Sequence, residues 1–413
     1  MKSYIGIDWS EKHHNVCILN KAGACLNRFQ ISHTLAGFQS IEQYLAQVNA
    51  VAADCLVAIE TDHNTLVDFL WSRGYTLYIL PPNQVKSNRG RHRASRAKDD
   101  DNDALLLADI LRTDQGRLIP WQADSDLAQQ MRSLLSWIDN LIDSIKRHRN
   151  RLRANLLSYY PQPLAAFGNM MSQFSLKVVA AYPSQGHLRT LTYRQFMVFS
   201  RGQGYYQVRH LPAYYAQLRE SMPAAPETIW PALEKQTVYL ARQLLTLMEQ
   251  KQVTISQTGL LFEQHPDAPI FASLPGAGDL LKPKLLVMFG DHRSRYPKPS
   301  ILPAIAGTCP VTVQSGRSQY VRFRWACNRS YRQTAQQFAK SSIRKSVWAA
   351  GYFNRALTRG MSDSHAYRCL ANRWLHIIWT LWQKRVPYDE AHHLNQVARH
   401  RKPLVGLVSA APS

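Results

Sequence analysis

Acidic residues are scarce in this sequence, and over one long stretch they are missing altogether. The 413 residues hold 28 Asp and Glu against 50 Lys and Arg, a formal charge of +22. Between His292 and Ser362 no acid occurs, while thirteen Lys and Arg do. That imbalance points to a polyanionic partner, nucleic acid first and an anionic membrane surface second. Long apolar runs are absent as well: no stretch of about 18 apolar residues occurs, which excludes a hydrophobic membrane span. Residues 1–10 lack the apolar segment of a secretory leader and read as a strand, so a cytoplasmic location is expected. The six cysteines, at 17, 25, 55, 309, 327 and 369, form no CxxC pair. Reduced, buried thiols are therefore expected rather than zinc ligands or disulfides. What is present is apolar material, 45% of residues with 10% aromatic. That is enough to exclude wholesale disorder and to build two or three cores.

The first 125 residues alternate strands and helices. Strands are expected at 3–8, 14–20 and 24–32, the last two joined by a turn at Gly23, then at 56–60 and 75–80. Helices are expected at 35–48 with Thr34 as cap, at 65–73 ending before Gly74, and from Asp100 to Leu111 after a basic loop over 83–98. The order describes a mixed sheet with helices on its faces, as in ribonuclease-H-like domains. A long heptad-like helix over 125–159 and a second over 226–258 bracket an aromatic and Arg-rich insertion, 161–224. Such a pair makes either a dimerising coiled coil or a buried helical hairpin. Beyond Leu274 a Pro-Gly turn feeds a helix over 280–288, and helices are expected at 341–355 and 371–383. Residues from 387 read as a tail.

Four acids carry the strongest chemical signal. Asp8 ends the first strand, Glu60 ends the strand over 56–60, and Asp100 and Asp103 lie three apart on one helix face. Carboxylates converging at one sheet edge repel one another unless a cation lies between them, and hard oxygen ligands suit Mg²⁺ or Mn²⁺. On spacing alone, capping and helix-dipole roles remain open, since Asp99, Asp100, Asp101 and Asp103 crowd a helix start.

The motifs Ile5-Gly6-Ile7-Asp8-Trp9, Ile59-Glu60-Thr61 and Lys98-Asp99-Asp100-Asp101-Asn102-Asp103-Ala104 resemble a known family. So do Ser273-Leu274-Pro275-Gly276-Ala277-Gly278, Phe289-Gly290-Asp291, Ala306-Gly307-Thr308-Cys309-Pro310, Gln314-Ser315-Gly316 and Phe323-Arg324-Trp325-Ala326-Cys327-Asn328, in that order. The resemblance is to the bacterial insertion-sequence transposases of family one-hundred-and-ten, DEDD-type enzymes that act as bridge-RNA-guided serine recombinases. It covers both ends of the chain, about two thirds of it, and omits the insertion and the tail.

The resemblance implies an α/β RNase-H-like (RuvC-like) catalytic domain over 1–124, a long helical coiled-coil middle over 125–265 for linkage and dimerisation, a mainly α C-terminal transposase domain over 266–386, and a tail over 387–413. It implies that Asp8, Glu60, Asp100 and Asp103 bind Mg²⁺ or Mn²⁺, with Asp99 or Asp101 as substitutes for Asp100. Ser315 would attack a DNA phosphate and form a covalent phosphoserine. Expected nucleic-acid contacts are Lys86, Arg89, Arg91, Arg93 and Arg96 in the basic loop, Arg149 on the long helix, and Arg317, Arg322 and Arg324 near the serine. The implied partners are donor and target DNA, a noncoding guide RNA and further copies of the chain as a dimer or tetramer, with no membrane. Two other functions fit the residues: a metal-dependent junction-resolving endonuclease in which water attacks, and a non-catalytic nucleic-acid-binding protein.

Overall fold

Residues 2–62, 64–88, 100–316 and 318–400 are described by a computed structural model. The chain divides into two units, residues 1–125 with 288–413, and residues 126–287. The first unit opens with β1 (Ser3–Asp8), β2 (His13–Leu19), β3 (Cys25–Ser32), α1 (Leu35–Gln47), β4 (Cys55–Ile59), α2 (Thr65–Ser72), β5 (Thr76–Ile79), α3 (Pro82–Asn88) and α4 (Asp100–Asp114). The strands form one sheet in the order β3-β2-β1-β4-β5. The three leading strands are antiparallel, because short connections suffice, and Gly23 supplies φ +90° at the β2–β3 turn. β1, β4 and β5 run parallel, and their crossovers are α1 and α2. Thr34 caps α1 as expected, its hydroxyl accepting from the Gly37 N–H at 3.1 Å.

Strand alternation sorts the core into two layers. Ile5, Ile7, Val16, Ile18, Val57 and Ile59 meet Phe38, Ile41, Leu66 and Leu70 of α1 and α2. On the other face Tyr4, Cys17, Leu56, Ala58 and Tyr78 meet Ala104, Leu107, Ala108 and Leu111 of α4. The expected basic loop is in part α3, which runs to Asn88, while 89–99 lie outside the described residues.

The same unit contains α14 (Ile301–Ile305), a hairpin of β6 (Val311–Ser315) and β7 (Ser318–Arg322), then α15 (Arg329–Ser342), α16 (Val347–Thr358), α17 (Asp363–Lys384) and α18 (Glu390–His400). Trp374 and Trp382 of α17 are fully buried. The Trp374 indole N–H donates to Ser342 Oγ at 2.9 Å, and its ring meets Phe338 and Trp348 edge-on or nearly so. The helix expected over 341–355 is broken, because Ser346 caps α16 by accepting from the Ala349 N–H at 3.0 Å. The tail expected from 387 is also corrected as far as 400. Glu390 of α18 accepts from the Ser346 hydroxyl and the Trp348 N–H, both at 2.9 Å, which docks that helix. The two sequence-distant parts of the unit are knotted at Asp124, whose side chain is 2% exposed and takes both terminal nitrogens of Arg295, at 2.8 and 3.0 Å. Burial opposes the Arg295 charge, but Asp124 more than offsets it and raises the pKa above the ordinary arginine value.

In the second unit α5 (Asp126–Tyr159) and α11 (Trp230–Glu263) pack on one another. Asn155, near the end of α5, donates to Leu233 O and Thr237 Oγ1 at 2.9 and 2.8 Å, near the start of α11, so the pair is antiparallel. The insertion folds into α6 (Gln162–Ala166), α7 (Gln173–Ala181), α8 (Gln185–Arg189), α9 (Tyr193–Gly202) and α10 (Leu211–Leu218). Phe174, Val179, Phe196, Leu211 and Leu218 from these helices share a core with Leu152, Leu156 and Tyr159 of α5 and with Leu240 and Leu244 of α11. α12 (Ala268–Ala272) follows, and the boundary between units falls inside α13 (Leu281–Phe289).

All six cysteines are free. Only Cys17 and Cys55 are buried, whereas Cys25 is exposed and the other three are half-buried, so the expectation of buried thiols holds for two of them. Burial, with the neighbouring Cys25, pushes the Cys17 thiol up to about 12. Among the described residues, no helix is long and apolar enough to cross a membrane.

Candidate catalytic and nucleic-acid site

β1 and β4 are parallel neighbours with Ile7 paired to Ile59. Asp8 and Glu60, each one residue further on, therefore lie side by side at the carboxyl edge of the sheet, on strands roughly 5 Å apart. By alternation they share the face of Gly6 and Ala58, which is the face α4 covers. Gly6 sets how close α4 comes. A Cβ built there would lie 2.0 Å from Ala104 O and 2.5 Å from Ala108 N, so only glycine permits the approach. Asp103, next to Ala104, is 5% exposed. Asp100 is the first residue of α4, and its side chain, like Asp99 and the side chain of Asp101, lies outside the described residues. The backbone thus brings Asp8, Glu60 and the first turn of α4 to one sheet edge. Among the described residues, no group of three His, Cys, Asp or Glu side chains is disposed to hold a metal ion. The donor chemistry fits a hard divalent cation, since all four groups offer carboxylate oxygens and none offers sulfur.

A feature not anticipated from the sequence stands at the same edge. The Ser10 N–H donates to His14 Nδ1 at 3.3 Å, which assigns the His14 proton to Nε2. His14 Nε2–H then donates to His33 Nδ1 at 2.9 Å, and His33 Nε2–H to Thr65 Oγ1 at 3.2 Å. Ser10 lies two residues past Asp8, and Thr65 begins α2, five past Glu60. This chain of bonds fastens the loop after β1 to the loop after β4. His14 is fully buried, and burial, followed by the nearby His33 and His13, pushes it down to about 4. His14 is therefore neutral at pH 7. The antiparallel β2–β3 register sets His14 opposite Ile31, two residues before His33.

Ser315 is exposed at the end of β6, paired with Ser318 across a two-residue turn in which Gly316 has φ +56°. Arg317 lies outside the described residues. The Arg322 guanidinium sits over the Tyr320 ring, 4.6 Å from its centroid. Arg324 is half-buried and donates to Pro310 O at 3.5 Å. Among the described residues the hairpin makes no substantial packing with β1, β4 or α4. Lys86 is exposed in the last turn of α3. Arg149 is exposed on α5 with its guanidinium against Asn150 Oδ1 at 3.3 Å. Arg89, Arg91, Arg93 and Arg96 lie outside the described residues.

Comparison with known proteins adds an independent finding. The DEDD transposase profile of IS110 elements matches residues 5–161, which include all four acids. A second profile, described as transposase IS116/IS110/IS902 family, matches residues 268–354, which include Ser315. The protein assigned as the transposase of the mini-circle IS117 of Streptomyces coelicolor is 31% identical over 94% of this chain and 95% of its own length. A 42 kDa protein of insertion element IS900 from Mycobacterium paratuberculosis is 24% identical over 94% of this chain and 97% of its own. A 43.6 kDa protein of insertion element IS110 from Streptomyces coelicolor is 25% identical over 70% of this chain and 73% of its own. With both profiles in order and nearly full-length likeness to the IS117 protein, the chain belongs to the IS110 family of insertion-sequence transposases.

Proposed function

We propose that the protein is a DNA recombinase that moves its own insertion element, with Asp8, Glu60, Asp100 and Asp103 as a divalent-metal centre and Ser315 as nucleophile. Residues 1–124 form the RuvC-like catalytic module, 125–265 the coiled-coil linking and dimerising module, and 266–386 the serine-bearing module. The observation that carries this reading is the β1–β4 register, which sets Asp8 beside Glu60 on the face where Gly6 admits the first turn of α4. A bound Mg²⁺ or Mn²⁺ would supply charge stabilisation to the phosphoryl oxygens.

Ser315 Oγ attacks the phosphorus. The Oγ–P bond forms as one P–O ester bond breaks, and the released strand end leaves with the electron pair and takes a proton. Attack by a hydroxyl of the exchanging strand reverses the step and frees the serine. Arg322, exposed on the hairpin, supplies positive charge to the phosphate. Among the described residues the hairpin makes no substantial packing with β1, β4 or α4, which favours a reaction that joins Ser315 of one copy to the acids of another, with α5 and α11 as the pairing element. A guide RNA would choose the sites. The basic segment over 83–98 and Arg149 then meet backbone phosphates and not bases.

The test is strand exchange between two plasmids carrying the element's ends. Asp8→Ala, Ser315→Ala and EDTA are each expected to reduce exchange to background, at least a hundredfold. Normal exchange by Ser315→Ala would leave the metal-dependent nuclease reading, and exchange in EDTA would remove the metal centre. Sequencing the RNA that co-purifies with the protein tests the guide: a single discrete noncoding species is expected, and random host RNA contradicts it.

A further inference from the structure

The loop just after the Ser315 hairpin holds a large aromatic side chain out in water. Trp325 is 81% exposed, the most exposed of the large hydrophobic side chains among the described residues. A single exposed apolar residue is ordinary, but this one is mounted. Its ring meets Phe323 edge-on at 4.7 Å between centroids. Phe323 in turn lies under two guanidinium groups, those of Arg332 and Arg368, 4.6 and 4.7 Å from its centroid. Arg332 also donates to Arg324 O, and the Asn328 N–H donates to Ile305 O at 2.8 Å, so both sides of Trp325 are tied down. Gly307, with φ +62°, leaves room for that arginine, since a Cβ there would lie 2.5 Å from Arg332 Nη2. The surroundings are cationic: the span from His292 to Ser362 contains no acid.

A fixed, solvent-facing indole on a stretch of chain without acids, beside two guanidinium groups, matches the chemistry that binds unpaired nucleic acid, where cations follow the backbone and an aromatic face takes a base. We propose that Trp325 is a stacking platform for an unpaired nucleobase at the root of the hairpin whose tip carries Ser315. This inference rests on the reading that the β6–β7 hairpin holds DNA. Its role is positioning: a base stacked at the root anchors the strand along the hairpin, a few nucleotides from the phosphate at its tip. Exposure of the side chain means that its removal leaves the fold intact.

The test is equilibrium binding by fluorescence anisotropy in the Ser315→Ala background, where no chemistry intervenes. The probes are a fluorescein-labelled single-stranded oligonucleotide of mixed sequence and the corresponding blunt duplex. Trp325→Ala is expected to weaken single-strand binding about tenfold, with an unchanged slope of log Kd against log salt, because no charge is lost. Trp325→Phe should restore most of the affinity, and duplex binding should not change. Arg322→Ala is the control for the underlying reading, with weaker binding to both probes and a shallower salt slope. If Arg322→Ala behaves so and Trp325→Ala binds the single strand normally, the stacking inference fails and the hairpin reading stands. If neither variant changes binding, the hairpin reading itself fails. Equal loss on both probes, or a lower sedimentation coefficient for Trp325→Ala without nucleic acid, also overturns the inference. The latter result assigns the indole to an interface between copies of the chain.

Discussion

Gly6 and Gly316 each stand close to one of the two proposed reacting groups, and they are glycine for different reasons. At Gly6 the constraint is crowding: the backbone of α4 lies where a Cβ would go, in the middle of a sheet buried on both faces. At Gly316 nothing lies within 4 Å, and the constraint is the positive φ of a two-residue turn. The acids are thus set by a packed scaffold. The serine is carried on a two-stranded ribbon whose residues are exposed or at most half-buried, a form that is marginal by itself. The ribbon is supported from its root, where Arg324 reaches Pro310 O. Ligands that share a metal need fixed separations, which a buried sheet supplies. A nucleophile that meets acids from elsewhere needs reach, which an exposed hairpin supplies.

Breaking the scaffold should cost far more than altering the ribbon. The largest effect is expected from Asp124→Ala, which leaves Arg295 without its buried partner. Loss of about 3–5 kcal/mol is expected in urea unfolding, and an unchanged midpoint would deny that this ion pair holds the unit. Next comes Gly6→Ala, where α4 must shift off β1. A loss of about 1–3 kcal/mol should accompany reduced strand exchange, because Asp103 moves with the helix. Gly316→Ala sharpens the contrast. Its local strain is about 1–2 kcal/mol, confined to the hairpin, so exchange should fall while the global unfolding midpoint stays within error.

The smallest effect concerns the histidine chain. His14 has a folded pKa of about 4, below its ordinary 6.5, so the unfolded chain takes up the proton first as the pH falls. Its contribution to stability is complete above about pH 6.5, is lost progressively toward pH 4, and is level below that. At pH 5 the loss from this one group is about 1–2 kcal/mol. His14→Gln should therefore narrow the difference in Tm between pH 7 and pH 5. An equal difference in both proteins would mean that other groups control the acid side.

The sheet was legible in the sequence because each strand is apolar on a buried face and each turn carries its own marker. Thr34 and Gly23 announced a cap and a turn, and strand ends announced Asp8 and Glu60. The β6–β7 hairpin escaped notice because strands that bury neither face show no alternation to read. Residues 341–355 look like one amphipathic helix, and only the Ser346 cap, paired with Glu390 from far along the chain, divides it. The insertion was unreadable because its five short helices are each too brief to show a period and share one core with the two long helices. The same limit applies to the site. Acids at strand ends can be inferred locally, whereas the His14–His33–Thr65 chain depends on three segments meeting in space.

In the proposed reaction, acids fixed on the sheet edge act together with a serine carried on the hairpin. The direct measurement is denaturing electrophoresis of the protein after incubation with end-labelled element DNA and Mg²⁺. A labelled, detergent-resistant protein–DNA adduct is expected for the unaltered chain, with none for Ser315→Ala and none for Asp8→Ala. An adduct that persists in Ser315→Ala, or cleaved DNA with no adduct in any variant, would contradict the account.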